Sequence, residues 1–215
     1  MILLSRSLWL AQTNTYVVAS EPGGPAVVVD VPPDPSAVLE MVRRHDLSVA
    51  ALLVTHGHVD HVGGAGPVAE ATGAYAYVHP DDDFLTDSPE EQLRLLFGMV
   101  PPGDYRAPAE RVYLADGQRH TLAGVTFEVL HTPGHTPGHC CFLVEEEGIL
   151  FSGDQLFAGS IGRTDLPGGD LGALAESMRT RVMTLPDDIR VLPGHGPETT
   201  IGEERRSNPF RHLWS

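Results

Sequence analysis

Apolar residues fall into short runs, and nearly every run is closed by glycine, proline, aspartate or histidine. Thr15–Ala19, the Val-rich Ala26–Asp30 and Val49–Thr55 read as strands, the last of them a buried one. Pro32, Pro33 and Pro35 break the chain. From Ser36 to Leu47 the spacing turns helical, with Val38, Leu39 and Val42 on one side. Gly63, Gly64 and Gly66 predict a loop, Pro67 to Thr72 a short helix, and Ala74–Val78 another strand.

Ser88-Pro89-Glu90-Glu91 predicts a helix start, with Ser88 as N-cap and Glu91 completing a capping box. The Pro-rich stretch from Met99 to Ala109 predicts an irregular loop and a candidate lid. Arg111 to Leu130 reads as a hairpin series turning at Asp116-Gly117 and Ala123-Gly124. Cys140–Val144, Gly148–Ser152 and Ile189–Leu192 complete the strands. Asp170 opens an amphipathic helix with Leu171, Leu174, Met178, Val182 and Leu185 on one face. Strands and helices mixed, with hairpins in both halves, predict an α/β sandwich in a single domain over residues 1–215.

Composition narrows the function classes. The chain has 29 acidic residues against 14 basic ones, a formal charge of −15, and every basic residue is an arginine. Such a chain repels nucleic acid and anionic membranes unless its arginines cluster, and the pairs Arg43–Arg44 and Arg205–Arg206 read as solvated helix faces. The two cysteines, Cys140 and Cys141, are adjacent, a poor geometry for a disulfide, so a reducing, cytoplasmic compartment is expected. The N-terminal apolar stretch is short and interrupted by Arg6, unlike a signal peptide, and no segment is apolar enough to span a membrane.

The chemistry sits at the strand ends. Val49–Thr55 runs into His56-Gly57-His58-Val59-Asp60-His61, four candidate ligands on one turn. Buried imidazoles and a carboxylate all need partners, so this spacing is hard to explain as core. Three more apolar runs end alike: Val125–Leu130 before His131-Thr132-Pro133-Gly134-His135, Ile149–Ser152 before Gly153-Asp154, and Ile189–Leu192 before Pro193-Gly194-His195. Seven such donors suit two metals bridged by a carboxylate. Donors without thiolate argue against a purely structural zinc site, and imidazole suits zinc or iron.

These motifs resemble the metallo-β-lactamase superfamily and, within it, the short form of glyoxalase II, the hydroxyacylglutathione hydrolases. Thr-His-Gly-His-Val-Asp-His, Thr-Pro-Gly-His-Thr-Pro-Gly-His, Ser-Gly-Asp and Pro-Gly-His-Gly-Pro carry the likeness, with the stretch from Gly159 to Asp170 and the tail around Gly202 and Asn208. The resemblance implies an αββα four-layer sandwich. It also implies one metal on His56, His58 and His135, a second on Asp60, His61 and His195, and Asp154 bridging, with Asp60 and Asp154 as catalytic carboxylates. Asp30, at an early strand end, would brace the site, although Val-Pro-Pro follows it rather than the more usual Pro-Gly.

The activity implied is hydrolysis of small acyl thioesters such as S-lactoylglutathione, by hydroxide formed on two divalent ions, with zinc first and iron or manganese as alternatives. The rivals are a mononuclear iron persulfide dioxygenase, which the Gly162-Arg163-Thr164-Asp165 stretch also resembles, and a lactone hydrolase. An antibiotic β-lactamase is not expected without an export signal. Residues 196–215 are too few for the helical extension by which longer glyoxalase II relatives grip glutathione, so weak dependence on the thiol carrier is expected.

The remaining candidates read as structural. His45, His120 and His212 are expected at the surface, and His79, before the acidic run Asp81-Asp82-Asp83, in a solvated loop. His131 and His139 are expected to support the ligands. Arg163 and Asp165 either lock their loop or touch substrate, and the first role is favoured.

Overall fold

The structure, a computed structural model, describes residues 1–214. The first sheet holds β1 (Ile2–Leu8), β2 (Thr13–Ala19), β3 (Pro25–Val29), β4 (Ser48–Leu53), β5 (Tyr75–Val78) and β6 (Arg111–Tyr113), in that order. β1 to β3 pair antiparallel and β3 to β6 parallel. The second sheet holds β7 (Arg119–Leu122), β8 (Val125–His131), β9 (Cys140–Val144) and β10 (Ile149–Gly153). After a small ribbon of β11 (Leu156–Phe157) and β12 (Ser160–Ile161), it is completed by β13 (Arg190–Pro193) and β14 (Thr199–Thr200). Its strand order is β14-β13-β10-β9-β8-β7, with only β10 and β13 parallel.

Three apolar layers hold the sandwich together. Between the sheets, Tyr16, Val18, Val27, Val29 and Leu53 meet Phe127, Val129, Phe142, Phe151 and Leu192. The outer face of the first sheet packs on α1 (Pro35–Arg43) and, beyond the single turn α2 (Val59–Val62), on α3 (Ala65–Thr72), through Val38, Met41, Val42 and Val68. Further along come the turn α4 (Asp83–Thr86) and α5 (Pro89–Phe97). The outer face of the second sheet packs on α6 (Leu171–Ser177), a π-helical continuation over Met178–Val182, and α7 (Ile201–Ser207). Leu174, Met178, Val182, Ile201 and Trp214 form that layer. This is the αββα four-layer sandwich. A strand segment buried on both faces favours apolar side chains on both, and so Tyr16–Ala19 of β2 and Ala26–Val29 of β3 lack the polar alternation of a half-exposed strand.

Several local expectations change. β1 had no alternation to announce it, because Ser5, Arg6 and Ser7 lie together on an edge strand whose central residues are exposed. The glycines after His61 sit in and beside helix: α2 and α3 are separated only by Gly63 and Gly64. Asp34 caps α1 by accepting from Ala37 N, and the helix stops at Arg43. Ser88 makes no side-chain cap bond, so the expected capping box is absent. Asp116-Gly117 turns no hairpin. β6 belongs to the first sheet and β7 to the second, so this turn carries the chain across the sandwich. Leu171, placed by spacing on the buried face of its helix, is exposed because it is the first residue after the cap.

Candidate active site

Four strand ends, β4, β8, β10 and β13, deliver the seven predicted residues to one edge of the sandwich, with α2 presenting Asp60 and His61. Two clusters result. His56 Nε2, His58 Nδ1 and His135 Nε2 lie 2.9–3.2 Å from one another. Asp60 Oδ2, His61 Nε2 and His195 Nε2 lie 3.2–3.3 Å apart. Asp154 stands between them, its Oδ1 3.4 Å from His61 and its Oδ2 3.6 Å from His135 and 3.5 Å from His195.

These spacings fit metal ions. Bonds of ~2.0–2.1 Å in a tetrahedral site put two ligand nitrogens about 3.3 Å apart. The tautomers point the same way. His135 Nδ1 reaches the Arg163 carbonyl at 2.7 Å, which only accepts, so the proton is on Nδ1 and Nε2 offers a lone pair to the cluster. His61 Nδ1 donates to Asp30 Oδ2 at 2.8 Å, turning its Nε2 inward. Asp154 Oδ1 is buried without a hydrogen-bond partner among the described residues, as a carboxylate reserved for a cation would be. All the donors are imidazole or carboxylate.

Burial prepares the imidazoles of the first cluster as ligands. Burial pushes His58 down to about 3 and His135 down to about 4, and drives His56 well below its ordinary value, so all three are neutral near pH 7. At His61 burial acts in the same direction, but Asp60, Asp154 and Asp30 outweigh it and hold the value well above normal. Asp60 is held well below the usual carboxylate range: burial raises it, and His61 and His195 more than reverse that.

The supporting residues make specific bonds. Asp30 takes the left-handed conformation, φ +57°, which aspartate tolerates better than most residues. In that pose it accepts from Thr55 N and Thr55 Oγ1 as well as from His61. His139, fully buried, accepts from the backbone N–H of Asp154 at 3.1 Å while its Nδ1 meets Thr132 Oγ1. Gly194 is required by close approach: a Cβ there would run into the Asp154 carboxylate and the His61 ring. Arg163 serves the site through its carbonyl, and its exposed side chain pairs with Asp165 at 2.7 and 2.8 Å. The two side chains thus pair with each other, while Arg163 also lines the cavity over the donors.

Some contributors gave no sequence signal. Thr13 donates to Asp60 Oδ2 at 2.9 Å. Asn14 and Tyr16 donate to Pro193 O and so hold the loop of His195. Gln92 accepts from Val59 N and donates to Gly57 O and Leu85 O. Asp82, expected in a solvated acidic run, is buried instead and accepts from Gly57 N, Thr136 Oγ1 and Gly138 N. Each is a common polar residue outside any ligand motif, recognisable only by its partner.

His79 is not solvated either: its side chain is 10% exposed and stacks on His131, ring centres 4.0 Å apart at 10°. Parallel rings direct their lone pairs in parallel planes, which cannot converge on one ion, so the pair is structural. His45 and His212 are exposed, and His120 is half-buried against Tyr77. Both cysteines are buried, and burial pushes Cys141 up to about 12, far from a reactive thiolate.

A cavity of about 440 Å³ opens over the two clusters, floored by His58, Asp60, His135, Asp154 and His195. Its walls include Trp9, Leu96, Phe97, Phe157 and Leu166. The 99–109 loop does not line it. That loop packs Tyr105 against Val59 and Leu93, and the end of α5 forms the wall instead. Larger clefts beside Arg94 and beside α1, about 530 and 560 Å³, touch none of the seven residues.

The family model of the metallo-β-lactamase superfamily matches residues 8–195. The chain belongs to this superfamily. Among curated relatives, the hydroxyacylglutathione hydrolase GloC of Haemophilus influenzae is 42% identical over 204 residues, covering 94% of this chain and 90% of that protein. Among solved structures, the B3 metallo-β-lactamase BLEG-1 has a TM-score of 0.89 at 36% identity, covering 97% of this chain and 99% of that one. TTHA1623, solved in a di-iron-bound form, has a TM-score of 0.85 at 40% identity, covering 98% and 100%. Membership of the superfamily supports a metal-dependent hydrolase. No helix among the described residues is long and apolar enough to cross a membrane.

Proposed function

We propose that this hydrolase cleaves small acyl thioesters, with S-2-hydroxyacyl thiols such as S-lactoylglutathione as the leading substrates. The observation that carries the reading is Asp154 poised between two donor triads, beneath a cavity that no serine or reactive cysteine enters among the described residues. His56, His58 and His135 would hold one divalent ion, Asp60, His61 and His195 the other, with Asp154 shared; zinc, iron or manganese suits these donors. Ions held there would supply a hydroxide nucleophile near neutral pH and Lewis acidity toward a carbonyl oxygen.

The chain's own residues do the rest. The low values of His58 and His135 keep their lone pairs free at neutral pH. Asp30, Thr55, the Arg163 carbonyl and His139 fix ring planes and the Asp154 backbone, so the donors are positioned before substrate arrives. Trp9, Phe97 and Phe157 shed water from the acyl-thioester group. A thiolate leaves readily, so the site needs no dedicated acid for the leaving group. The similarity to GloC supports a hydroxyacyl thioester. The similarity to BLEG-1 favours a second reading, opening of a β-lactam by the same carbonyl attack.

The deciding experiment is metal analysis of purified protein beside parallel assays. An anaerobic lactoyl-thioester assay should release thiol and acid in equal amounts. Persulfide-dependent oxygen uptake on a single iron, without thioesterase activity, would overturn the proposal. So would turnover confined to β-lactams or lactones.

A further inference from the structure

A second cavity of about 170 Å³ adjoins the first. His58, Leu96 and Leu166 line both, so the two cavities meet at these side chains. Beyond them the walls include Phe84, Leu85, Leu95 and Pro167. The one interior amide, Gln92, has its oxygen and nitrogen committed to Val59 N, Gly57 O and Leu85 O. Glu91, at the exposed rim, opposes an anionic occupant. The same stretch leaves large apolar side chains in water: Phe84 is 48% exposed, Leu95 63% and Leu96 39%. A contiguous apolar surface that opens onto a reaction centre marks a place for an apolar part of a ligand.

We infer that this groove is an acyl-chain subsite, so that among acyl and 2-hydroxyacyl thioesters those with an apolar, medium-length chain are turned over better than those of two or three carbons. The inference rests on the thioester reading above and names the acyl part, because the cavities meet at His58, beside the centre where the carbonyl must sit. The occupant follows from the chemistry of the walls, which are mostly apolar, with half-buried Ser88 and exposed Glu91 the polar side chains besides His58 and the committed Gln92. The volume admits a chain of about five water- or methylene-sized groups.

Two series on the metal-loaded protein test it. In one, kcat/KM is measured for straight-chain acyl thioesters of one small neutral thiol, from acetyl to octanoyl, with lactoyl alongside. In the other, binding of straight-chain hydroxamates, which anchor on metal ions, is measured by titration calorimetry from aceto- to octano-. Both should strengthen about threefold per methylene, as partial burial gives, and level off near hexanoyl. Leu95→Glu and Phe84→Glu, both at exposed positions, should flatten the dependence. Leu10→Glu, an exposed apolar position that lines neither cavity, should not. Where thioesters turn over, kcat/KM that does not rise with acyl length, or a rise unaffected by both groove variants, overturns the subsite. Where no thioester turns over, the functional reading has failed by itself, and the hydroxamate series and its variants alone decide for the groove.

Discussion

Asp82 Oδ2 accepts the backbone N–H of Gly57 at 2.7 Å, and the same carboxylate takes Gly138 N at 2.6 Å and Thr136 Oγ1 at 2.7 Å. Gly57 separates His56 from His58, and Thr136 follows His135. One buried side chain thus ties together the two loops that form the first donor cluster. Asp82→Ala would leave three buried donors without a partner, each costing about 1–3 kcal/mol. A loss of about 3 kcal/mol or more is expected in urea denaturation, with metal affinity about 10–100-fold weaker. Unchanged affinity in a direct metal titration would sink the clamp.

His58→Ala and Asp154→Ala each delete a donor. Both should lose about a hundredfold or more in kcat/KM, about 2.7 kcal/mol in transition-state binding, and retain less metal. His45→Ala, in the exposed turn after α1, should change neither. Full metal and full turnover in Asp154→Ala would disprove its shared position.

The metal-free protein should be acid-sensitive. Burial lowers His58 to about 3 and His135 to about 4, and lowers His56 and His139 as well. A folded value below the unfolded 6.5 means that the unfolded chain takes up the proton first, so stability is present above pH 6.5 and lost as pH falls through the folded values. His61 and His195 are raised and act oppositely, losing their contribution as pH rises through their folded values. With five lowered, His79 included, against two raised, Tm of chelator-treated protein should fall from pH 6.5 to 4.5. A flat or rising Tm over that range would contradict these environments.

Carrier selectivity should be weak. Arg163 is the cation on the wall of the cavity over the donors, and Asp165 engages its guanidinium with two hydrogen bonds, so a carboxylate of the carrier must compete for it. The chain has no lysine to substitute. With the acyl group constant, kcat/KM for glutathione and other small thiol esters should agree within about tenfold. A hundredfold preference for glutathione would reveal a grip from residues not identified here.

The donor set was legible in the chain because metal chemistry restricts residue type: His and Asp after Gly-marked strand ends have few other uses at that density. The sandwich was legible because strands buried on both faces must be apolar on both faces, as in Val27 to Val29 and Leu52 to Val54. What tertiary structure alone decided is which ordinary residues face those donors. Asp82 in an acidic run, Thr13 beside an edge strand and Gln92 on a surface-like helix have unremarkable neighbours in sequence, and each acquires its role from a partner 25 to 56 residues away. The same holds for Asp116-Gly117, whose turn resembles a hairpin yet crosses between sheets, because pairing partners are set by packing rather than by the turn. Local pattern specifies what a residue can do chemically, and the fold specifies what it is brought against.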